Sequence, residues 1–144
     1  MSREPDCIFC KIVAGEIPAL IVRRTDAVVA FLDIGPLAEG HLLIIPCDHY
    51  ANLTDMPPAL CAEIASAVPM LGRALLDVTD AEGFNMLVNQ GEVAGQVIHH
   101  VHFHLIPRRR GDELGYRWNA GQYVPGRADE VAAAYRAALA APST

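Results

Sequence analysis

The stretch His100-Val101-His102-Phe103-His104-Leu105-Ile106 decides how the rest of the chain is read. Its strict polar–apolar alternation has the period of a β-strand, where neighbouring side chains point to opposite faces at a rise of roughly 3.3 Å per residue. His100, His102 and His104 then share one face at intervals of roughly 6 to 7 Å, while Val101, Phe103 and Leu105 share the other. A single strand histidine is ordinarily a packing residue. Three imidazoles in register opposite three apolar side chains are not explained by packing, and imidazole is the side chain that titrates near neutral pH. The spacing therefore predicts a functional face on a strand whose back is core. His99 falls on the apolar side and is assigned to packing.

Outward from this strand, segments 20–24, 27–33, 41–45 and 84–90 read as four more strands, 41–45 being near-continuously apolar, and 99–106 is the fifth. Residues 7–13 open a short helix ended by Gly15 and Pro18. Residues 57–78 carry helical spacing, with Leu60, Ile64, Leu71 and Leu75 on one stripe, and Pro69 inside it predicts a kink or a missing hydrogen bond. Residues 128–141 form an alanine-rich terminal helix. The expectation is an α+β domain over 1–126, a five-stranded antiparallel sheet with one long helix and short flanking helices, followed by a peripheral helix and tail over 127–144. Uncovered edge strands suggest a homodimer.

Composition narrows the function classes. With 144 residues, 52% apolar and 19% charged, the chain is long enough to bury a core without staples. A net charge of −6 argues against a nucleic-acid partner, which ordinarily calls for a basic footprint. The densest apolar run, Leu42-Leu43-Ile44-Ile45, stops at Pro46, so no membrane span is expected. The polar start of the chain has no secretory core, and a cytoplasmic location is the default. Its four cysteines are then reduced thiols, for which close pairs suggest metal before disulfide.

The histidine run resembles the signature of the histidine triad (HIT) family, in which histidines alternate with apolar residues. Cys7-Ile8-Phe9-Cys10-Lys11-Ile12, Phe31-Leu32-Asp33-Ile34, Gly40-His41 and Pro107-Arg108 extend the resemblance over most of the chain. The ending, through Gly111-Asp112 to Trp118, is similar to prokaryotic members. The resemblance implies a HIT-like fold, a bound nucleoside phosphate and attack by the middle histidine, His102, on the α-phosphorus. His104 then donates to a non-bridging phosphate oxygen. His41 supports the triad, by buttressing His104 or His102 or by touching substrate.

Cys7-x-x-Cys10 alone fits zinc sites, redox turns or ordinary thiols, and a closed tetrahedral site needs two further ligands. His49 and His100 are the candidates, and many prokaryotic relatives share zinc among those four positions. A structural zinc at Cys7, Cys10, His49 and His100 is the expectation, leaving His102 for chemistry and His104 for phosphate.

Asp33, a turn residue by local sequence, matches the family position that accepts ribose hydroxyls. Ile8, Phe9, Ile12, Phe31 and Ile34 match positions enclosing the base, and such apolar walls imply loose base specificity. Asn89 and Gln96 match a polar pair beside the scissile bond, although glycines at 91 and 95 also suit a plain hairpin link. Val97 departs from relatives that carry a serine against the leaving group, which weakens the case for efficient phosphoramidate cleavage. Arg108-Arg109-Arg110 reads as a solvated charge run, or as a reach, with Trp118, toward a distal phosphate. The expected activity is hydrolysis or nucleotidyl transfer on a dinucleoside polyphosphate or nucleoside phosphoramidate. A phosphorylase and a non-catalytic nucleotide-binding scaffold are the alternatives.

Overall fold

A computed structural model of the chain describes residues 2–115 and 120–140, so Trp118 lies outside the described residues. The chain divides into two compact units, Met1–Leu114 and Gly115–Thr144. The first runs α1 (Ile8–Ala14), β1 (Ile21–Arg24), β2 (Val28–Leu32), β3 (Leu42–Pro46), α2 (Pro58–Thr79), β4 (Gly83–Val88) and β5 (Phe103–Arg108). The second holds α3 (Arg127–Ala140), which has no buried residue and pairs Arg127 with Glu130 at 2.9 Å.

Every pairing in the sheet is antiparallel, in the order β1-β2-β3-β5-β4. The alternation of β2 and β3 sorts the core into two layers. Val28, Ala30, Leu42 and Ile44 face α2, where they meet Ile64, Leu71 and Leu75 together with Val101, Phe103 and Leu105 of the histidine segment. Val29, Phe31, Leu43 and Ile45 face the other way and pack on Phe9, Ile12 and Val13 of α1. A strand apolar on both faces is what a sheet covered on both sides requires.

Local chemistry sets the ends. Gly15 closes α1 in the left-handed region at φ 77°, with its amide donating to the Ile12 carbonyl. Thr25 makes the β1–β2 turn, its hydroxyl oxygen accepting the Val28 amide at 3.0 Å. The long helix continues through Pro69 on its exposed side, at the cost of the one hydrogen bond that proline cannot donate. Gly72 lets α2 approach β4, because a Cβ there would stand 2.7 Å from the Phe84 ring. By length and composition α2 is also apolar enough to cross a membrane, a property that reading only unbroken apolar runs misses. It packs on the sheet through Ile64, Leu71 and Leu75, while Ala59, Ala62, Ala65 and Ala74 remain exposed.

The histidine segment is only half a strand. Pairing begins at Phe103, and His100 to His102 form an extended bend ahead of it, tied down by the Val101 amide donating to Tyr50 O at 2.7 Å. The alternation survives in burial, since Val101, Phe103 and Leu105 all enter the α2-side core. It does not reach back to His99, which is 61% exposed and 3.7 Å from Glu92 rather than packed. One residue before the alternation is established, the chain is still in the loop and its side chain goes to solvent.

Candidate active site and metal centre

Each histidine of the run is held by a different partner, and the partners fix where its protons sit. His102 Nδ1 lies 2.7 Å from the His100 carbonyl. A carbonyl only accepts, so Nδ1 carries the hydrogen and Nε2 presents its lone pair. His104 is set the other way round. The Leu37 amide donates to His41 Nδ1 at 3.1 Å, which leaves the His41 hydrogen on Nε2, 2.9 Å from His104 Nδ1. His104 therefore bears its own hydrogen on Nε2, a buried atom with no partner among the described residues. An unpaired buried donor costs about 1–3 kcal/mol and is a place where a ligand acceptor is missing. Burial, then the charges of His102 and His41, push His104 down to about 4, and burial also lowers His41. Both are neutral rings at neutral pH.

His100 looks away from this pair. Its Nε2–H donates to Pro46 O at 3.0 Å, leaving the Nδ1 lone pair 3.5 Å from Cys7 Sγ and 3.6 Å from Cys10 Sγ. His49 Nδ1 is 3.4 Å from Cys10 Sγ. The four donor atoms lie within 4.8 Å of one another. Zinc bonds of roughly 2.3 Å to sulfur and 2.0–2.1 Å to nitrogen, set tetrahedrally, put sulfur and nitrogen about 3.5 Å apart. The three sulfur–nitrogen distances of 3.4–3.6 Å match that spacing. Cys10 Sγ also accepts the Glu4 amide at 3.4 Å, and burial pushes His100 down to about 4, keeping it in the neutral form that binds metal. The His49 amide donates to Ser2 O at 2.9 Å and the Ser2 amide donates to Asp48 Oδ1 at 2.6 Å, which pins the segment that carries His49. Cys47 and Cys61 take no part, Cys47 being a buried residue of the α1-side core.

Between α1, the start of the β2–β3 loop and the segment ahead of β5 lies a cavity of about 580 Å³. His41, His102 and His104 form its polar end, and Ile8, Phe9, Ile12, Phe31 and Ile34 line the apolar part. Asp33, Asn89 and Val97 also border it. Among the described lining residues there is one carboxylate, Asp33, and no lysine or arginine. Asp33 keeps its turn role as well, with Oδ1 accepting the Gly35 amide at 2.8 Å, and leaves Oδ2 over, 3.8 Å from His41 Nδ1.

One expectation needs correction. Gln96 does not border the cavity. Its amide is consumed inside the loop: Oε1 accepts the Gly91 N–H at 2.8 Å, and Nε2 donates to Ala51 O at 2.8 Å and Ile98 O at 3.2 Å. At 3% exposure it is a latch for the 91–98 segment, a geometry that favours buried satisfaction over reach. The arginine triplet does not border the cavity either. Arg108 is committed to Asp112, Asn85 and the Leu114 carbonyl, Arg109 bonds the Thr79 carbonyl, and Arg110 is 94% exposed beside Glu82. The Arg108 guanidinium on Asp112 holds that carboxyl well below the usual carboxylate range. The Leu37 backbone amide, which starts the proton ordering, left no signal in the sequence because any residue but proline supplies it.

Fold and site together define an α+β protein, its sheet covered on both faces, with an ordered imidazole pair facing a nucleotide-sized pocket and a four-residue cluster of metal-binding type behind it. The HIT domain family model matches residues 14–111, and the chain belongs to that family. It is 47% identical over 109 residues to the adenylylsulfatase HINT3 of Arabidopsis thaliana, covering 76% of this chain and 55% of that protein. The chain thus spans little more than half the length of that relative. It is 44% identical over 125 residues to the adenosine 5'-monophosphoramidase HNT1 of Candida albicans, covering 83% and 82% of the two. A zinc-bound histidine triad family protein from Mycobacterium smegmatis superposes with a TM-score of 0.73 at 38% identity, covering 94% of each chain.

Proposed function

We propose that this chain is a nucleotide hydrolase that cleaves at the α-phosphorus of a nucleoside phosphate derivative through a nucleotidyl-His102 intermediate. The observation that carries the reading is the opposed proton placement on two neighbouring rings, His102 and His104, whose centroids are 4.9 Å apart. One offers a lone pair to the pocket and the other an unused N–H.

The chemistry follows from that pairing. His102 Nε2 forms a bond to the α-phosphorus as the bond to the leaving group breaks, and the departing atom takes a proton from solvent. His104 Nε2–H donates to a non-bridging oxygen, where charge builds in the transition state. Water then attacks phosphorus, the P–N bond breaks, and the nucleoside monophosphate leaves. The apolar walls Ile8, Phe9, Ile12, Phe31 and Ile34 sandwich the base, and the spare Oδ2 of Asp33 accepts from ribose hydroxyls. Asn89 and Val97 border the leaving group. His41 works through His104, not on the substrate. The names of the relatives support the reaction class, one being an adenylylsulfatase and the other an adenosine phosphoramidase.

Zinc at Cys7, Cys10, His49 and His100 is read as structural, because four protein ligands complete the tetrahedron. When bound it ties the start of the chain to the segments that hold His49 and His100. Metal analysis of Cys10→Ser checks the site: the variant should lose stoichiometric zinc and melt at lower temperature. Thiol ligands fit a reducing cytoplasm. A homodimer is supported by the exposed alanines of α2 and by β4, an uncharged edge strand paired only with β5. Sedimentation should give twice the mass of the 15.5 kDa chain.

Turnover of adenosine phosphoramidate, adenylyl sulfate and diadenosine tri- and tetraphosphate, with and without inorganic phosphate, tests the reaction. Wild type should release AMP from at least one of them and His102→Ala from none. AMP release by folded His102→Ala at the wild-type rate overturns the mechanism.

A further inference from the structure

The metal cluster and the nucleotide pocket share one side chain. Phe9 lies between Cys7 and Cys10 in sequence and is 4% exposed. Its ring stands edge-on to three others: His100 at 5.8 Å, His102 at 5.2 Å and Phe31 at 5.7 Å between centroids. One neighbour is a metal ligand, one presents the lone pair to the pocket, and one is a pocket wall. The His100 ring whose Nδ1 faces the two thiols belongs to the residue whose carbonyl orients His102, at 2.7 Å.

The helix that carries this contact cannot order itself. With seven residues, α1 is far below the roughly 12–15 at which isolated helices begin to hold in water. It has no side-chain cap at Cys7 and no acidic residue in its first turn. Its start is held by packing, by the Cys7 amide donating to Glu4 O at 3.0 Å and the Glu4 amide donating to Cys10 Sγ at 3.4 Å, and, with a metal bound, by the two cysteine ligands on either side of Phe9. Ile8 and Ile12, on the same helix, line the cavity.

We infer that Phe9 is a positioning residue that couples metal binding to nucleotide binding, so that each ligand tightens the other. Ordering of α1 by the metal sets Phe9, and Phe9 sets the His102 ring and closes the base pocket. A nucleotide wedged against Phe9 holds the same helix turn in place and so holds the thiols. Linkage makes the effect reciprocal: the factor by which nucleotide raises metal affinity equals the factor by which metal raises nucleotide affinity. The inference rests on the nucleotide reading of the pocket.

The test uses the full zinc-loaded protein. Zinc affinity is measured by competition with a chelator at equilibrium, with and without saturating AMP, after calorimetry has established AMP binding. AMP should tighten zinc about fivefold or more, within the usual range of site-to-site coupling. In Phe9→Ala, which keeps all four ligands, zinc should still bind and the AMP effect should fall below twofold. AMP that binds wild type without changing its zinc affinity overturns the inference and leaves the functional reading intact. Full coupling retained in Phe9→Ala overturns the role of Phe9. AMP that does not bind at all overturns the nucleotide reading and the coupling with it. The wild-type comparison stands alone if Phe9→Ala does not fold.

Discussion

His41 Nε2 lies 2.9 Å from His104 Nδ1, and this contact determines which nitrogen of His104 carries its hydrogen. His41 can donate there only because the Leu37 amide already occupies its other nitrogen. Removing His41 leaves His104 Nδ1 buried without a donor and frees the ring to change tautomer. His41→Ala should lose about 1–3 kcal/mol of stability and about tenfold or more in kcat/KM. His41→Gln, whose amide can donate to the same atom, should recover part of both. Urea unfolding and steady-state kinetics of the two variants read the difference.

The same burial sets a pH dependence. His104 sits at about 4 and His41 below its ordinary value, against 6.5 for an exposed ring. Between those values the unfolded chain binds protons that the folded one does not, so folding becomes less favourable as pH falls. Stability should be flat on this account above about pH 7 and fall between about 6.5 and 4. In His104→Gln the slope over that window should be shallower. Unfolding midpoints in urea across pH 4–8 measure it, and equal slopes in both proteins would contradict the assignment.

Gln96 should behave as a stability residue. Its three hydrogen bonds, buried at 3% exposure, tie Gly91 and Ile98 within the 91–98 segment and fix that segment to Ala51. Gln96→Ala strands the partners and should cost about 1–3 kcal/mol, visible as a lower melting temperature. Adding nucleotide should restore part of the loss, since the segment borders the pocket.

Val97 should behave oppositely. It is 86% exposed at the cavity border, so Val97→Ser should change stability by no more than about 0.5 kcal/mol. A hydroxyl there adds a hydrogen-bond partner for a leaving amine. The kcat/KM for adenosine phosphoramidate should rise several-fold, with less change for substrates whose leaving group is a phosphate. An unchanged ratio between the two would remove Val97 from the leaving-group side.

How far the sequence disclosed this site can be traced residue by residue. Alternation in the histidine run put Val101, Phe103 and Leu105 in the core correctly, because burial imposes a period of two on a strand covered on one face. The clustering of Cys7, Cys10, His49 and His100 was legible from ligand types and family resemblance. What stayed hidden was direction. Gln96 is the right residue type for contact with a leaving atom, yet its amide satisfies three backbone groups instead, and no local pattern distinguishes the two. His99 continued an alternation that had not begun. The proton order of His104 depends on a main-chain amide four residues before His41, to which the sequence gives no identity.

The proposed reaction turns on a bond between phosphorus and one nitrogen. Rapid quench of the wild-type protein with a nucleoside phosphate substrate, followed by peptide mass spectrometry, looks for that bond directly. The expected result is a nucleoside monophosphate adduct on the peptide bearing His102, localised to His102, and absent from His102→Ala. An adduct on another residue, or turnover in a His102→Ala protein that is folded and zinc-loaded, would contradict it.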